Sequence, residues 1–216
     1  MPVKTTEEKK SGRSSKGWGD LARRQAELAK EREDKENRVR EFWLMSDESA
    51  IVQFLSDEPF CYNAHVVKKN GKFTTIPCGL DVRKHCALCS SGVRQVWKAA
   101  FKVLDYRGSW DADKKKFTYD EPVEKVWIMG ATLATQIKQI IDKKGRALTS
   151  MVFDVSRSGS GKNSTYNFEI ALGDDDRRLR PKDWEETTPD LDEILVPPTN
   201  DEMEAAGYTD EDEVPF

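Results

Sequence analysis

A mainly β fold is what this 216-residue sequence predicts, and three observations predict it. Six short runs rich in β-branched and aromatic residues recur over residues 50–55, 60–69, 98–106, 123–129, 150–157 and 165–172. Turn signals separate them, notably Asn70-Gly71 and Ser158-Gly159-Ser160-Gly161. Only residues 131–144 carry apolar side chains at helical spacing (Leu133, Ile137, Ile140, Ile141), and that run ends at Gly145, a residue suited to a helix C-terminus. Strands in this number around one internal helix predict a small, partly open barrel of the OB type.

Charge divides the chain around that barrel. Hydrophobic residues are 37% and charged residues 34%, against roughly 45–50% and about 25% in an ordinary globular protein. The net charge of −4 argues, as an average, against a nucleic-acid binder. Counted by segment it is +3 over residues 1–46, +5 over 47–173 and −12 over 174–216, a mildly basic body followed by an acidic tail. Residues 1–41 read as a basic, amphipathic arm: polar and disordered to about Gly19, then helical from Asp20, an N-cap residue. Leu21, Leu28, Val39 and Phe42 are too sparse to bury a continuous face, so the arm is either a solvated helix or disordered segment, or a partner-docking helix. The body spans 42–173, beginning at Phe42-Trp43-Leu44, and 174–216 is expected to be a disordered acidic tail. No apolar run approaches the roughly 18 residues of a membrane span, and the start Met-Pro-Val-Lys lacks an apolar signal segment, so a cytoplasmic protein is expected.

All four cysteines and both histidines fall between positions 61 and 89. In a reducing compartment this favours a metal over disulfides. Cys86-Ala-Leu-Cys89 is a Cys-x2-Cys knuckle that presents two thiolates to one tetrahedral ion. Cys78 sits between Pro77 and Gly79, in a loop that can turn toward the knuckle, and His65 lies on the strand before the hairpin. Cys61, four residues earlier on the same strand face, is about 13 Å from His65 and is not expected to share its ion. His85 adjoins Cys86 and is sterically awkward as a co-ligand. The expected set is therefore His65, Cys78, Cys86 and Cys89 around one structural Zn2+, with Cys61 or His85 as substitutes for His65 and a redox dithiol at Cys86/Cys89 as the rival chemistry. Such an ion would hold together a subdomain, about residues 61–95, too small to fold unaided.

The order His65-x12-Cys78-x7-Cys86-x2-Cys89 resembles the zinc subdomain of T-even-type bacteriophage single-stranded-DNA-binding proteins, which carry one His and three Cys inserted in an OB fold. The interval between the second and third ligands is slightly shorter here. Glu41-Phe42-Trp43-Leu44, residues 51–60 with Asp57-Glu58-Pro59-Phe60, Phe101-Lys102-Val103-Leu104-Asp105, Trp127 with the following helix, and residues 153–157 extend the resemblance over roughly 41–172. A second resemblance lies at the end of the chain. Asp210-Glu211-Asp212-Glu213-Val214-Pro215-Phe216 is similar to the acidic tip of bacterial single-stranded-DNA-binding proteins. These resemblances imply a phage protein that coats single-stranded DNA without sequence preference in replication, recombination and repair, in a bacterial host cytoplasm. They also imply a tip (Asp212, Glu213, Val214, Pro215, Phe216) that docks replication and recombination proteins, and an N-terminal arm that self-associates along DNA.

Binding single strands requires cations for phosphates and aromatic faces for bases. Strand alternation places Ala99, Phe101 and Val103 on a core face and Lys98, Lys102 and Tyr106 on the other. In the next strand Val126 and Ile128 are expected inward, Lys125 and Trp127 outward. Trp110 and Lys114-Lys115-Lys116 lie on the long connection between those strands, Arg157 and Lys162 flank the Gly-Ser turn, and Tyr166 opens the last strand. Lys98, Lys102, Tyr106, Trp110, Lys125, Trp127, Arg157, Lys162 and Tyr166 are thus the candidate DNA contacts. The alternatives are that Trp127 packs beneath the N-terminal arm, that Lys114–116 is a solvated loop, and that Tyr166 belongs to the core with Phe168. A −12 tail tethered to a +5 body is expected to compete for the same cationic surface. No Gly-x-Ser-x-Gly, phosphate-loop or two-metal carboxylate pattern occurs, so an enzyme is not expected. The rival function is a zinc-ribbon interaction factor of transcription or recombination that binds protein rather than DNA.

Overall fold

A computed structural model describes residues 24–25, 40–69, 72–108, 110–118, 121–171 and 184–206. The chain divides into two units, Met1–Arg38 and Val39–Phe216. Of the first, Arg24 and Gln25 are described, both helical and exposed. Arg40 and Glu41, the end of the expected arm, are described and lie beside Val126; the rest of the arm lies outside the described residues, as does the tip 212–216.

The second unit is mainly β. Strands β1 (Glu48–Phe54), β2 (Phe60–Lys69), β3 (Lys72–Pro77), β4 (Gln95–Asp105), β7 (Val123–Gly130), β8 (Val152–Ser158) and β9 (Thr165–Ile170) form one seven-stranded sheet. Its order is β3-β2-β4-β1-β8-β9, with β7 on β4, and the pairings are antiparallel. Among the described residues no pairing closes the sheet on itself. The β2–β3 register ends at Lys69↔Lys72, leaving Asn70-Gly71 between them. A separate two-stranded ladder, β5 (Trp110–Asp111) with β6 (Lys116–Phe117), interrupts the connection expected to be a loop. Four helices are described: α1 (Ala87–Ser90), α2 (Ala131–Lys144), α3 (Leu191–Ile194) and α4 (Asn200–Ala205).

Helix α2 is the helix expected between strands. Its one fully buried residue is Ile137, and Leu133, Ala134, Ile140 and Ile141 pack beside it on the principal core. Gly145 ends it at φ 63°, where its N–H donates to the Ile141 carbonyl at 2.8 Å. Between β8 and β9, Gly159 is required at φ 77°, because a Cβ there would lie 2.4 Å from the Asn163 carbonyl oxygen.

The principal core gathers one face of every long strand except β2: Phe42, Phe54, Phe101, Val103, Trp127, Phe153 and Val155, with Phe168 against them. Phe54 meets Phe101 and Phe153 edge to face at 5.1 and 5.7 Å. At its edge lies a buried charge network. Asp105 accepts from Arg107 (Nη2, 2.8 Å) and Lys125 (Nζ, 2.7 Å), and Arg107 reaches Glu48 at 2.6 Å. Phe117 of β6 lies beneath both cations, 4.0 Å from the Arg107 guanidinium carbon and 4.9 Å from Lys125 Nζ. Hydrogen-bonded partners on every side let these charges stay inside.

The opposite face of β2, β4 and β7 is covered by residues 184–206, which corrects the expectation of a disordered tail from 174. Leu191 packs on Tyr62, Ala64, Ala100 and Val126, joined by Ile194 and Leu195. Glu124 on β7 fastens the start of this strap. Its carboxylate accepts from Trp184 Nε1 (2.9 Å), Thr187 N (3.0 Å) and Thr188 N (2.6 Å). Thr199 caps α4 in a capping box with Glu202, and Met203 is 1% exposed against Val67, Ile76, Leu88 and Val93. Charge composition marked this segment as solvated, but the apolar residues spaced through it are enough to hold it down. No described helix is long and apolar enough to cross a membrane.

Burial alone would raise the pKa of Glu124. The hydrogen bonds it accepts from Thr188, Thr187 and Trp184 outweigh this and hold it below the ordinary carboxylate range. A depressed folded-state pKa stabilises fully above the unfolded value of about 4.3 and is lost as pH falls through the lower folded value. Glu124→Gln should therefore speed amide hydrogen exchange at Thr187 and Thr188 at neutral pH, consistent with loss of about 1–3 kcal/mol of charge-assisted bonding. The unmodified chain should show the same acceleration only below about pH 4.

Candidate metal centre and nucleic-acid interface

The root of the β2–β3 hairpin, a 3-10 turn at Gly79–Asp81 and α1 converge on one point. There the ligand atoms of His65, Cys78, Cys86 and Cys89 all lie within 4.8 Å of one another. His65 Nε2 is 3.6 Å from Cys86 Sγ and 3.4 Å from Cys89 Sγ, and Cys78 Sγ is 3.6 Å from Cys89 Sγ. Donors about 2.0–2.3 Å from a tetrahedral ion stand about 3.5–3.8 Å apart, so this arrangement could hold a metal ion. His65 and Cys78 are 0% exposed and Cys86 1%. Strand β2 positions the histidine, the Cys78 N–H bonded to Asn63 O at 2.8 Å turns the chain back, and α1 carries the Cys-x2-Cys pair.

Surrounding groups suit a thiolate set. Gln95 Nε2 donates to Cys78 Sγ (3.0 Å) and Cys89 Sγ (3.3 Å), and Leu80 N donates to Cys78 Sγ at 3.4 Å. Burial pushes the His65 pKa down, which keeps its imidazole neutral and able to ligate. At Cys86 burial opposes ionisation, but backbone N–H groups of Cys89, Gly79 and Leu88 prevail and lower the thiol pKa. At Cys89 burial and the Cys78 sulfur push it up to about 12, so an ion binding there would displace a proton.

Neither substitute ligand belongs to the group. Cys61 is exposed, and burial and Glu58 raise its thiol pKa. His85 is engaged elsewhere, 2.8 Å from Ser90 Oγ and 3.1 Å from Asn200 Nδ2. Asn200 Oδ1 also accepts from Ala87 N at 3.0 Å, and Arg83 bonds the Pro198 carbonyl, so the strap grips the loop that carries the ligands.

The candidate DNA contacts scatter. Trp127, expected outward, is 3% exposed in the principal core, 4.6 Å from Phe42 and 5.8 Å from Phe168 between ring centroids. Lys125, expected outward beside it, is 6% exposed and bound to Asp105; burial lowers its pKa. Val126 and Ile128, expected inward, face the strap instead. Alternation separated the two faces of β7 correctly but exchanged them, because both are covered and period two does not say which faces the principal core. A base cannot stack on a ring so enclosed.

Lys98 and Lys102 do share the face expected of them, but it lies under the strap. Lys102 is 8% exposed, its Nζ 3.0 Å from Asp190 Oδ1, 3.1 Å from the Thr188 carbonyl and 3.7 Å from Glu186 Oε2. Lys98 is half-buried, and burial lowers its pKa against the opposing effect of Glu41. Tyr106 follows β4 and donates to Gln53 Oε1 at 3.3 Å. Arg157 donates to Leu44 O and to Ser164 Oγ, 5.9 Å from the Tyr166 ring centroid, and Tyr166 packs on the core 6.0 Å from Trp127. Trp110 lies on β5 and Lys162 in the 3-10 turn Gly161–Asn163; their side chains lie outside the description.

Trp97 was not singled out from the sequence. It is 41% exposed and, with Phe101, Cys61, Asp57 and Ile137, lines a groove of about 660 Å³ beside α2. Its place opposite Asn63, two pairs from His65↔Gln95, is a register fact that no local signal carries. Comparison with models of protein families finds no match for the chain, and comparison with curated proteins finds none.

Metal content after purification checks the centre. Cys86→Ser should lose the ion and melt the surrounding loop, whereas Cys61→Ser and His85→Ala should retain it at wild-type stoichiometry.

Proposed function

We propose that this chain is a phage single-stranded-DNA-binding protein, an OB-type barrel with one structural zinc, that coats single strands without sequence preference in replication, recombination and repair. In this reading the acidic tip at 212–216 recruits partner proteins and the N-terminal arm joins neighbours along the DNA. One observation carries the reading: Lys102, a phosphate candidate, lies on the sheet's outer face between the carboxylates of Asp190 and Glu186. An acidic strap there stands where a polyanion would.

The connectivity supports the OB component. Strands β1, β4 and β7 follow one another by antiparallel pairing, α2 comes next, and β8 and β9 return through β1. Four antiparallel steps separate β7 from β9, so the two run in the same direction, with Trp127 of β7 meeting Phe168 and Tyr166 of β9 across the gap. The hairpin β2–β3 and the ligand loop are inserted between β1 and β4. For the metal, one imidazole and three thiolates form a closed set for zinc, with no position left for substrate. When bound, zinc would neutralise the thiolates and tie hairpin, turn and α1 together.

Fluorescence titration with poly-dT and with duplex of equal length, at two salt concentrations, tests the function. The full chain should prefer poly-dT, and affinity should fall with salt by roughly 0.7 log units per phosphate contact per log unit of salt. Glu186→Gln with Asp190→Asn removes both carboxylates facing Lys102, leaving its bond to the Thr188 carbonyl and the anchors Leu191 and Met203 in place. Binding should tighten a few-fold at low salt, since an ion pair with one solvent-exposed partner is worth on the order of 1 kcal/mol. Unchanged affinity in that variant removes the competition, and no poly-dT binding by the full chain removes the function.

A further inference from the structure

Three thiolates around one divalent cation leave one negative charge in excess, so a centre built from His65, Cys78, Cys86 and Cys89 is stabilised by N–H groups aimed at its sulfurs. The described residues supply these unevenly. Backbone N–H groups of Cys89, Gly79 and Leu88 serve Cys86. Cys78 accepts from the Leu80 N–H at 3.4 Å. For Cys89, apart from the ligands themselves, the one N–H donor among the described residues is the Gln95 side chain. Its Nε2 stands 3.3 Å from Cys89 Sγ and 3.0 Å from Cys78 Sγ. Cys89 is also the only one of the four ligands that is not fully buried. Gln95 is itself exposed, on the solvent side of the centre.

The sheet places this amide, not the ligand loop. Gln95 is the first residue of β4 and lies directly opposite His65 in the ladder with β2. Directly opposed residues of an antiparallel pair project on the same side. One cross-strand pair therefore delivers both the imidazole and the amide, whereas Cys78 and Cys89 arrive from a turn and from α1. A glutamine nitrogen has two N–H bonds to give. Here they go to two sulfurs 3.6 Å apart that different elements supply.

We propose that Gln95 is a positioning residue of the metal centre: its amide bridges the Cys78 and Cys89 sulfurs, draws charge from the least buried of them, and so sets how tightly the centre keeps its ion. This rests on the zinc reading above and goes beyond its four ligands. A hydrogen bond to a thiolate lowers the energy of the sulfur lone pairs and favours the deprotonated form that ligates. Without that bond the same four ligands remain, but the exposed corner of the centre holds its charge unaided.

The test compares the full chain with Gln95→Met and Gln95→Glu. Zn2+ affinity is measured by competition with a chromophoric chelator, and the thiolate-to-metal absorption band is read after saturation with Co2+. Gln95→Met, of similar length and without a donor, should bind one equivalent with affinity lower by about 10–100-fold and a band moved to longer wavelength. Gln95→Glu keeps the shape of glutamine but turns a carboxylate toward the sulfurs, and should lose more affinity than Gln95→Met. A packing role predicts the reverse order, because Glu is the closer match in shape. A variant that folds poorly without metal still reports through the band, which is read on saturated protein. Wild-type affinity and band in Gln95→Met overturn the assignment while leaving the metal centre standing, and Gln95→Glu outperforming Gln95→Met overturns the donor role. Failure of the unmodified chain to bind Zn2+ or Co2+ overturns the centre itself.

Discussion

Strand β4 hydrogen-bonds to three strands and feeds two cores. Its first half pairs with β2, its end with β1, and residues 98–105 pair with β7 along the other edge. From Ala99 to Asp105 every residue is buried. Ala99, Phe101 and Val103 enter the principal core, Ala100 the cluster beneath Leu191, and Asp105 the charge network with Arg107 and Lys125. A central strand buried on both faces needs a cover on each side, and here the two covers differ. One is the sheet's own inner face, gathered with α2 into the principal core. The other is the acidic strap, whose apolar residues replace water over the outer face.

That constraint accounts for the arrangement of charge. Lys102 emerges from β4 on the strap side, where an unpaired ammonium would be costly, and Asp190, Glu186 and the Thr188 carbonyl meet it. Glu124, beside it on β7, takes the amides of Thr187 and Thr188. Both contacts are polar and rim an apolar centre of Leu191, Ile194 and Leu195. The polar rim gives the strap its position and the apolar centre most of its hold.

Much of the fold was legible in local signals, for identifiable reasons. The six expected strands match β1, β2, β4, β7, β8 and β9 to within a few residues, because each is a β-branched or aromatic run bounded by turn residues. Helix α2 ends at Gly145 as read, since a left-handed C-terminus has a residue preference that survives any tertiary context. The four residues of the candidate metal centre come together as expected, because Cys-x2-Cys spacing and a strand-borne histidine are local geometry. Strand β3 was implied by Asn70-Gly71 and not counted, and the short β5–β6 ladder has too few residues to carry a pattern.

The sequence by itself determined the elements, the two faces of each strand and the chemistry of the ligand cluster, all properties that depend on neighbours within a few residues. Only the tertiary structure decided which face is inside. Trp127 and Val126 alternate as they must, but the larger ring takes the principal core, where it meets Phe42, Phe54 and Phe168, while Val126 lies under Leu191. Nor could composition place residues 184–206. Their charge describes a solvated tail, yet a few apolar side chains at long sequence separation find an apolar sheet face. Burial is a property of the pair of surfaces that meet, and the second surface lies more than sixty residues away in the chain.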